Sequence, residues 1–128
     1  MINTYVPYLG IDEKKFVINC INSNFISSAG PDVKKFEDKF CKKYNFKFAI
    51  ALNSGTSALH LALKLHNIGL NDLVIIPSYT FAATANAVKY TGAEPYFFDC
   101  DKNLLLDLKY LEKFFFFKYK EYFNSKIQ

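Results

Sequence analysis

The fold is decided by one stretch of the chain, Asn53-Ser54-Gly55-Thr56-Ser57-Ala58-Leu59-His60-Leu61-Ala62-Leu63. A short apolar run, 48–52, precedes it, and a helix-forming run follows Gly55 at once. The first turn of a helix offers backbone N–H groups without partners and the positive end of the helix dipole, which together suit a phosphate dianion. Gly55 lets the backbone approach a ligand closely, because it has no Cβ. The ordinary alternative is a strand–turn–helix in which Ser54 or Thr56 is only an N-cap.

A second pattern extends this unit. An apolar strand, 73–77, runs into the polar and aromatic loop 78–81, and a helix is predicted over 82–90. Another strand follows at 95–98 and closes on Asp99. Alternating strands and helices with nearly continuous apolar strands are typical of an α/β sheet covered by helices on both faces. Ligands bind beyond the carboxyl ends of such strands, where the glycine turn and the aromatic loop are both expected to lie.

Simple elements are predicted before the glycine turn. The pattern indicates a helix over 12–22 with Asp12 as its N-cap, a second helix over 32–44, and a strand over 48–52. Lysines and acids alternate along the second helix opposite an apolar face, which is made of Val33, Phe36, Phe40, Cys41 and Tyr44. A solvated helix face is therefore expected there, and not a nucleic-acid site, since the chain has no Arg for bidentate phosphate or base contacts.

Four motifs in this order resemble the DegT/DnrJ/EryC1/StrS family of pyridoxal-phosphate-dependent sugar-nucleotide aminotransferases. They lie at 25–37, 54–63, 76–88 and 92–101, and the resemblance runs over about 5–112. It implies an α/β fold that is part of the large domain of a type I, aspartate-aminotransferase-like transferase. The sheet of such a part is incomplete and has flanking helices.

The resemblance also implies roles for individual residues. Those expected to bind the cofactor, pyridoxal phosphate, are Gly55, Thr56, Ser57 and Phe81. The resemblance assigns the phosphate to the backbone N–H groups of Thr56 and Ser57 and to the Thr56 hydroxyl, and Gly55 allows the close approach. Phe81 matches the aromatic residue that stacks on the pyridine ring; the alternative is a core aromatic that closes the loop. Residues expected to border the sugar nucleotide are Tyr5, Ser27, Ser28 and Gly30. His60 and His66 are expected to be packing or surface residues.

The family's proton-transfer residues have no match in the chain. They are a Schiff-base lysine, an aspartate on the pyridine nitrogen and a glutamine or histidine beside the ring, and they come from segments carboxy-terminal to the resemblance. No catalytic residue is therefore assigned. The activity that the resemblance implies is transfer of an amino group from glutamate or glutamine to a nucleotide-linked keto sugar. The enzymes are homodimers, and their products are amino sugars for lipopolysaccharide or other surface glycans. The chain alone is expected to be inactive.

Two other functions fit the same residues. One is a small module that binds a phosphate ligand through the glycine turn, or that pairs with a separately encoded carboxy-terminal half. The other is a dehydratase or regulator branch of the same family, in which another residue replaces the lysine.

The resemblance fades where four phenylalanines begin at Phe114. With 16 Lys and no Arg, the chain suggests an A+T-rich genome, in which four Phe codons would form a thymine tract that polymerases can slip on. The interpretation is that 1–113 is the family part and 114–128 an out-of-frame tail. The alternative is a natural amphipathic helix capped by Asp107, with one face made of Leu108, Leu111, Phe115 and Tyr119.

Composition narrows the remaining classes. Three widely spaced cysteines (Cys20, Cys41 and Cys100) show no metal-ligand pattern, and reduced thiols in the cytoplasm are expected. No metal site is predicted, and no apolar run is long enough to cross a membrane. Since 51% of the residues are hydrophobic, strands that lack neighbours are expected to leave apolar edges that promote aggregation.

Overall fold

The computed structural model describes residues 5–126, with side chains for residues 5–117. The chain divides after Ala51 into two compact units. The first contains helices α1 (Ile11–Asn22) and α2 (Pro31–Tyr44). The second unit contains α3 (Gly55–Leu65), β1 (Leu73–Pro77), α4 (Ala82–Thr91), β2 (Glu94–Phe98) and α5 (Leu108–Lys126).

Both helices of the first unit begin with glycine caps. The Gly10 N–H donates to Glu13 Oε2 at 2.8 Å, which holds the turn before Ile11. The prediction of Asp12 as N-cap is therefore wrong, and Asp12 lies in the first turn instead. Gly30 caps α2, and Pro31 occupies the first helical position, where its missing N–H would have had no partner.

The predicted strand at 48–52 is also wrong. A strand needs a neighbour, and within residues 5–126 the only strands that pair are β1 and β2. The Ala51 N–H donates instead to Glu37 Oε1 of α2 at 2.9 Å. The chain leaves α2 through Asn45, whose φ of 56° is left-handed, and stacks Phe46 on Phe40 with ring centroids 6.3 Å apart.

The second unit is built on a parallel pair of strands. β1 and β2 pair in register, with Ile75 opposite Tyr96, and α4 connects them. The core comprises Ile76, Val88 and Ala93, and Leu63 of α3 packs against it. α4 ends at Gly92, whose φ of 90° turns the chain into β2 at a conformation that residues with a Cβ rarely adopt.

A compact loop, 99–107, joins β2 to α5. Asp101 accepts hydrogen bonds from the backbone N–H groups of Leu105 and Asn103, and these two bonds hold the pKa of its carboxyl below the ordinary value. Asp107 then caps α5, since its Oδ1 accepts the Tyr110 N–H at 3.0 Å. This cap is the one that the sequence predicted for an amphipathic helix at this end of the chain.

The packed face of α5 differs from the predicted one. Tyr110 and Phe114 contact Phe98 of β2, with ring centroids 5.1 and 5.5 Å apart. Leu108 and Phe115, placed on that face by the pattern, are 69% and 51% exposed. Tyr119 lies outside the residues whose side chains are described. Leu111, also placed on that face by the pattern, is half-buried. The predicted face is therefore wrong in part, and aromatic contacts with the sheet supply the rest of the packing of α5.

The buried hydrophobic side chains lie in the second unit. Among the residues described, the buried hydrophobic ones are Ile76, Ala87, Val88, Ala93 and Phe98. Within the part of the chain that the structure describes, each strand of the two-stranded sheet has one neighbour and one unpaired edge. The described residues also include no helix long and apolar enough to cross a membrane. The unpaired edges of β1 and β2 agree with the expectation that strands without neighbours leave apolar edges exposed.

We expect Val88→Ala to lower the free energy of unfolding of the second unit by about 2 kcal/mol, because the Val88 side chain is 1% exposed and its loss leaves a cavity. Urea denaturation followed by circular dichroism measures the change. The matched control is Val17→Ala on α1, where the valine is 59% exposed and little should change. Equal effects of the two substitutions would contradict this account of the core.

Candidate functional site

The carboxyl ends of β1 and β2 form one edge, because the two strands are parallel. Two loops meet there. The Ser78 N–H donates to the Phe98 carbonyl at 2.7 Å, and the Tyr79 N–H donates to Cys100 Sγ at 3.4 Å. The loop after β1 is therefore held against the residues that follow β2.

Phe81 lies at the end of the first of these loops and is the N-cap residue of α4. Its carbonyl accepts the Thr84 N–H at 2.9 Å, so its backbone belongs to the first turn of the helix. The ring is 83% exposed, and the interpretation of Phe81 as a core aromatic is therefore wrong. An exposed ring held by a helix start can present a face to a flat ligand.

The start of α3 has an N-cap, but part of its first turn is left without a hydrogen-bond partner in the described chain. Ser54 Oγ accepts the Ser57 N–H at 3.1 Å and lies 3.0 Å from Ser57 Oγ, so Ser54 is an N-cap as one alternative predicted. The N–H groups of Gly55 and Thr56 make no hydrogen bond to any part of the chain that the structure describes. A Cβ built on Gly55 would meet no atom within 4 Å. This turn can therefore receive an anion on two backbone N–H groups and the adjacent hydroxyls.

The helices α3 and α4 pack against each other, and the contacts at their carboxyl ends indicate that their amino ends point the same way. The carboxyl ends of both meet, since a Cβ built on Gly69, just after α3, would lie 3.6 Å from the Thr91 carbonyl oxygen of α4. The rings of His60, in the middle of α3, and Tyr90, near the end of α4, are 6.0 Å apart, and Leu63 of α3 packs against the core cluster that contains Val88. Because α4 starts at the carboxyl edge of the strands, the glycine turn points toward the same edge as Phe81.

The four residues predicted to border a sugar nucleotide all lie in the first unit. The Gly30 N–H donates to the Ser27 carbonyl at 3.1 Å, so the structure brings Ser27, Ser28 and Gly30 into one turn. Gly30 is buried, and a Cβ there would lie 3.3 Å from Phe25 Cβ. The two serines are exposed, and Tyr5 is 83% exposed.

Sequence reasoning missed Cys100 as part of the edge. Its thiol contacts the loop that carries Phe81, but a lone cysteine after a strand carries no pattern that predicts such a contact. The expectation for His60 and His66 agrees with the structure: His60 packs on Tyr90, and His66 is exposed at the end of α3. Among the side chains that the structure describes, those of residues 5–117, no three of His, Cys, Asp or Glu are grouped to hold a metal ion.

Comparison with known proteins finds a matching family model and similar curated proteins. A model of the DegT/DnrJ/EryC1/StrS aminotransferase family matches residues 7–114. GDP-perosamine synthase of Escherichia coli O157:H7 is 45% identical over 100 residues, which are 78% of this chain and 28% of that protein. The enzyme of the same name from Caulobacter vibrioides is 43% identical over 112 residues, which are 87% of this chain and 30% of that protein.

Solved structures agree with these relatives. An aminotransferase from Psychrobacter cryohalolentis superposes with a TM-score of 0.69 at 35% identity, over 74% of this chain and 24% of that one. The PLP form of the sugar aminotransferase Spr1654 from Streptococcus pneumoniae, described as putative, superposes with a TM-score of 0.71 at 27% identity, over 84% and 27% of the two chains. The chain thus spans less than a third of the length of these relatives.

The cofactor of these proteins is named in two of them. EpsN of Bacillus subtilis, 38% identical over 95 residues that are 74% of this chain and 24% of that protein, is described as a putative pyridoxal phosphate-dependent aminotransferase. The streptococcal protein has been solved in its PLP form. The fold is accordingly part of the type I transferase large domain, with a sheet of two strands and flanking helices. The chain belongs to the DegT/DnrJ/EryC1/StrS family of pyridoxal-phosphate-dependent aminotransferases.

Proposed function

We propose that this chain is the amino-terminal part of a cytoplasmic, homodimeric aminotransferase. The enzyme transfers an amino group from glutamate or glutamine to a nucleotide-linked keto sugar during the synthesis of surface polysaccharide or another glycan. Two relatives named GDP-perosamine synthase and a spore coat polysaccharide biosynthesis protein of Bacillus subtilis, 42% identical over 107 residues, support this substrate class. That protein is matched over 80% of this chain and 27% of its own length.

One observation carries the proposal: an open helix start and an exposed aromatic ring point to one edge of the sheet. Pyridoxal phosphate has a phosphate dianion at one end and a flat pyridine ring at the other. The Gly55 and Thr56 N–H groups suit the phosphate, and the face of Phe81 suits the ring. The residues present therefore fit this cofactor.

The geometry at α3 refines the assignment of the phosphate-binding groups. The Ser57 N–H already donates to Ser54 Oγ, so the backbone contribution falls to Gly55 and Thr56, and Ser57 contributes its hydroxyl. Each hydrogen bond to a charged group contributes about 1.5–3 kcal/mol. The positive end of the helix dipole adds up to about 1 kcal/mol where the site is exposed. Backbone groups can thus hold the dianion without a lysine or an arginine.

In this mechanism the role of the chain is to bind the cofactor and to orient its ring. The cofactor supplies the electron sink for transamination. The α3 turn holds the phosphate end, and Phe81 sets the tilt of the ring. Tyr5, Ser27, Ser28 and Gly30 are proposed to border the sugar nucleotide. No residue of the chain is proposed to move a proton, because no lysine stands in the family's cofactor-binding motif, and the chain alone is therefore inactive.

The proposal is tested with a chimera. Residues 7–113 replace the matched segment of the Caulobacter vibrioides GDP-perosamine synthase, and formation of GDP-perosamine is measured for the chimera and for the isolated chain. We expect activity only in the chimera. A folded chimera that binds pyridoxal phosphate and makes no product would contradict the proposed substrate class. Turnover by the isolated chain would contradict its inactivity.

We expect Gly55→Ala to weaken binding of pyridoxal phosphate to the chimera about tenfold and to leave binding of pyridoxal unchanged. The added methyl group meets open space in the chain and intrudes only on a phosphate that lies against the backbone, at the cost of one charged hydrogen bond. Absorbance titrations give both dissociation constants. Gly69→Ala is the matched control, because its methyl group would make an ordinary contact away from the site. A loss of affinity for both ligands would argue against phosphate binding at Gly55.

We expect Phe81→Ala in the chimera to weaken binding of pyridoxal phosphate and of pyridoxal alike, by about fivefold, because the stacked ring contributes about 1 kcal/mol. Phe81→Tyr should retain affinity. Phe48→Ala, which removes an equally exposed ring elsewhere, is the control. If only the phosphorylated ligand lost affinity, Phe81 would not contact the pyridine ring.

We also propose that the family sequence ends near residue 113 and that residues 114–128 are an out-of-frame tail. The run of four phenylalanines starts at Phe114, and the match to the family model reaches residue 114. The interpretation depends on a thymine tract at these codons.

Sequencing the coding DNA across 114–117 and translating the downstream DNA in all frames tests this proposal. We expect another frame to continue the sheet and to supply an aspartate, a glutamine or histidine, and a lysine in the family's motifs. If no frame does so, residues 114–128 belong to the natural protein, and a separately encoded carboxy-terminal half should be sought.

A further inference from the structure

The thiol of Cys100 contacts the loop that carries Phe81. The Tyr79 N–H donates to Cys100 Sγ at 3.4 Å, and Ser78 Oγ lies 3.7 Å from the same sulfur. Both distances are within the range of hydrogen bonds to sulfur. Cys100 is half-buried, and it follows β2 at the edge where the proposed cofactor site lies.

Little else holds this loop between its two ends. The Ser78 N–H is bound to the Phe98 carbonyl, and Thr80 Oγ1 lies 2.9 Å from Thr84 Oγ1 at the start of α4. Between these points the Tyr79 N–H has no other acceptor in the backbone of residues 5–126 or the side chains of residues 5–117, and the side chains of Tyr79 and Phe81 are both exposed. The sulfur therefore restrains the part of the loop that packing leaves free.

The sulfur is itself well anchored. Cys100 forms an antiparallel bridge with Leu106, and the Asp107 N–H donates to the Asp99 carbonyl at 3.1 Å. Inside this loop the Asp101 carboxylate accepts two backbone N–H groups. The 99–107 loop thus serves as a rigid support for the thiol.

We propose that Cys100 is a positioning residue, whose sulfur holds the Tyr79 amide and thereby orients the Phe81 ring for a pyridine ligand. The use of the ring rests on the proposed function. The restraint on the Tyr79 amide does not. The two parts can therefore be tested separately.

The first measurement is amide hydrogen exchange at Tyr79 in the full chain, by nuclear magnetic resonance. We expect Cys100→Val, similar in volume but without an acceptor, to raise the exchange rate about threefold to tenfold, as loss of one neutral hydrogen bond would. Cys100→Ser, which restores an acceptor, should return the rate toward that of the wild type. Cys41→Val is the matched control in the first unit. Unchanged Tyr79 exchange in Cys100→Val overturns the proposal.

The second measurement compares ligands on the same full-chain variants. Titration with pyridoxal phosphate and with inorganic phosphate, followed at the Phe81 and Gly55 resonances, separates orientation of the ring from binding of the phosphate. We expect Cys100→Val to weaken pyridoxal phosphate about threefold and to leave inorganic phosphate unchanged, with recovery in Cys100→Ser. An equal loss for both ligands would indicate general destabilisation and overturn the positioning role. If the wild type binds neither ligand while Tyr79 exchange still responds, the proposed cofactor site fails and the thiol restraint stands.

Discussion

The second unit depends on the pairing of β1 with β2 beneath α4. This parallel ladder requires a crossover connection, and α4 supplies it while burying Val88 against Ile76 and Ala93. Because the strands run in the same direction, both loops that follow them emerge at one edge. The packing of α3 along α4 then points a second helix start toward that edge. The candidate site is thus a consequence of strand direction and not of any single functional side chain.

The sequence predicted correctly several elements whose structure depends on residues close to one another in the chain. The strand at 73–77 and the helix after Phe81 were predicted from the sequence because strand burial and helix periodicity each depend on neighbouring residues. The start of α3 was predicted for the same reason, since Ser54 and Gly55 form an N-cap within a few residues. The aspartate cap of α5 is of this kind as well.

The wrong N-cap at Asp12 was a local error, since Gly10 and Glu13 set that turn. The other two failed predictions of elements concern places where a partner distant in sequence decides the structure. Residues 48–52 have the composition of a strand, but within residues 5–126 they have no neighbouring strand, and Glu37 takes up one of their N–H groups. The rotation of α5 depends on rings of β2 that helix spacing does not reveal. The contact of Cys100 with Tyr79 joins residues 21 positions apart, and no sequence motif predicts it.

The open turn of α3 has a consequence for how the proposed site would respond to acidity. The groups that face a ligand there are peptide N–H groups and hydroxyls, none of which changes its charge in the physiological range. Any change in affinity between mildly acidic and neutral conditions would therefore arise in the ligand, whose phosphate loses its second proton at a pKa of about 6. The affinity of such a site would follow the ionisation state of the ligand, because the charges of the protein groups that face the ligand do not change over this pH range.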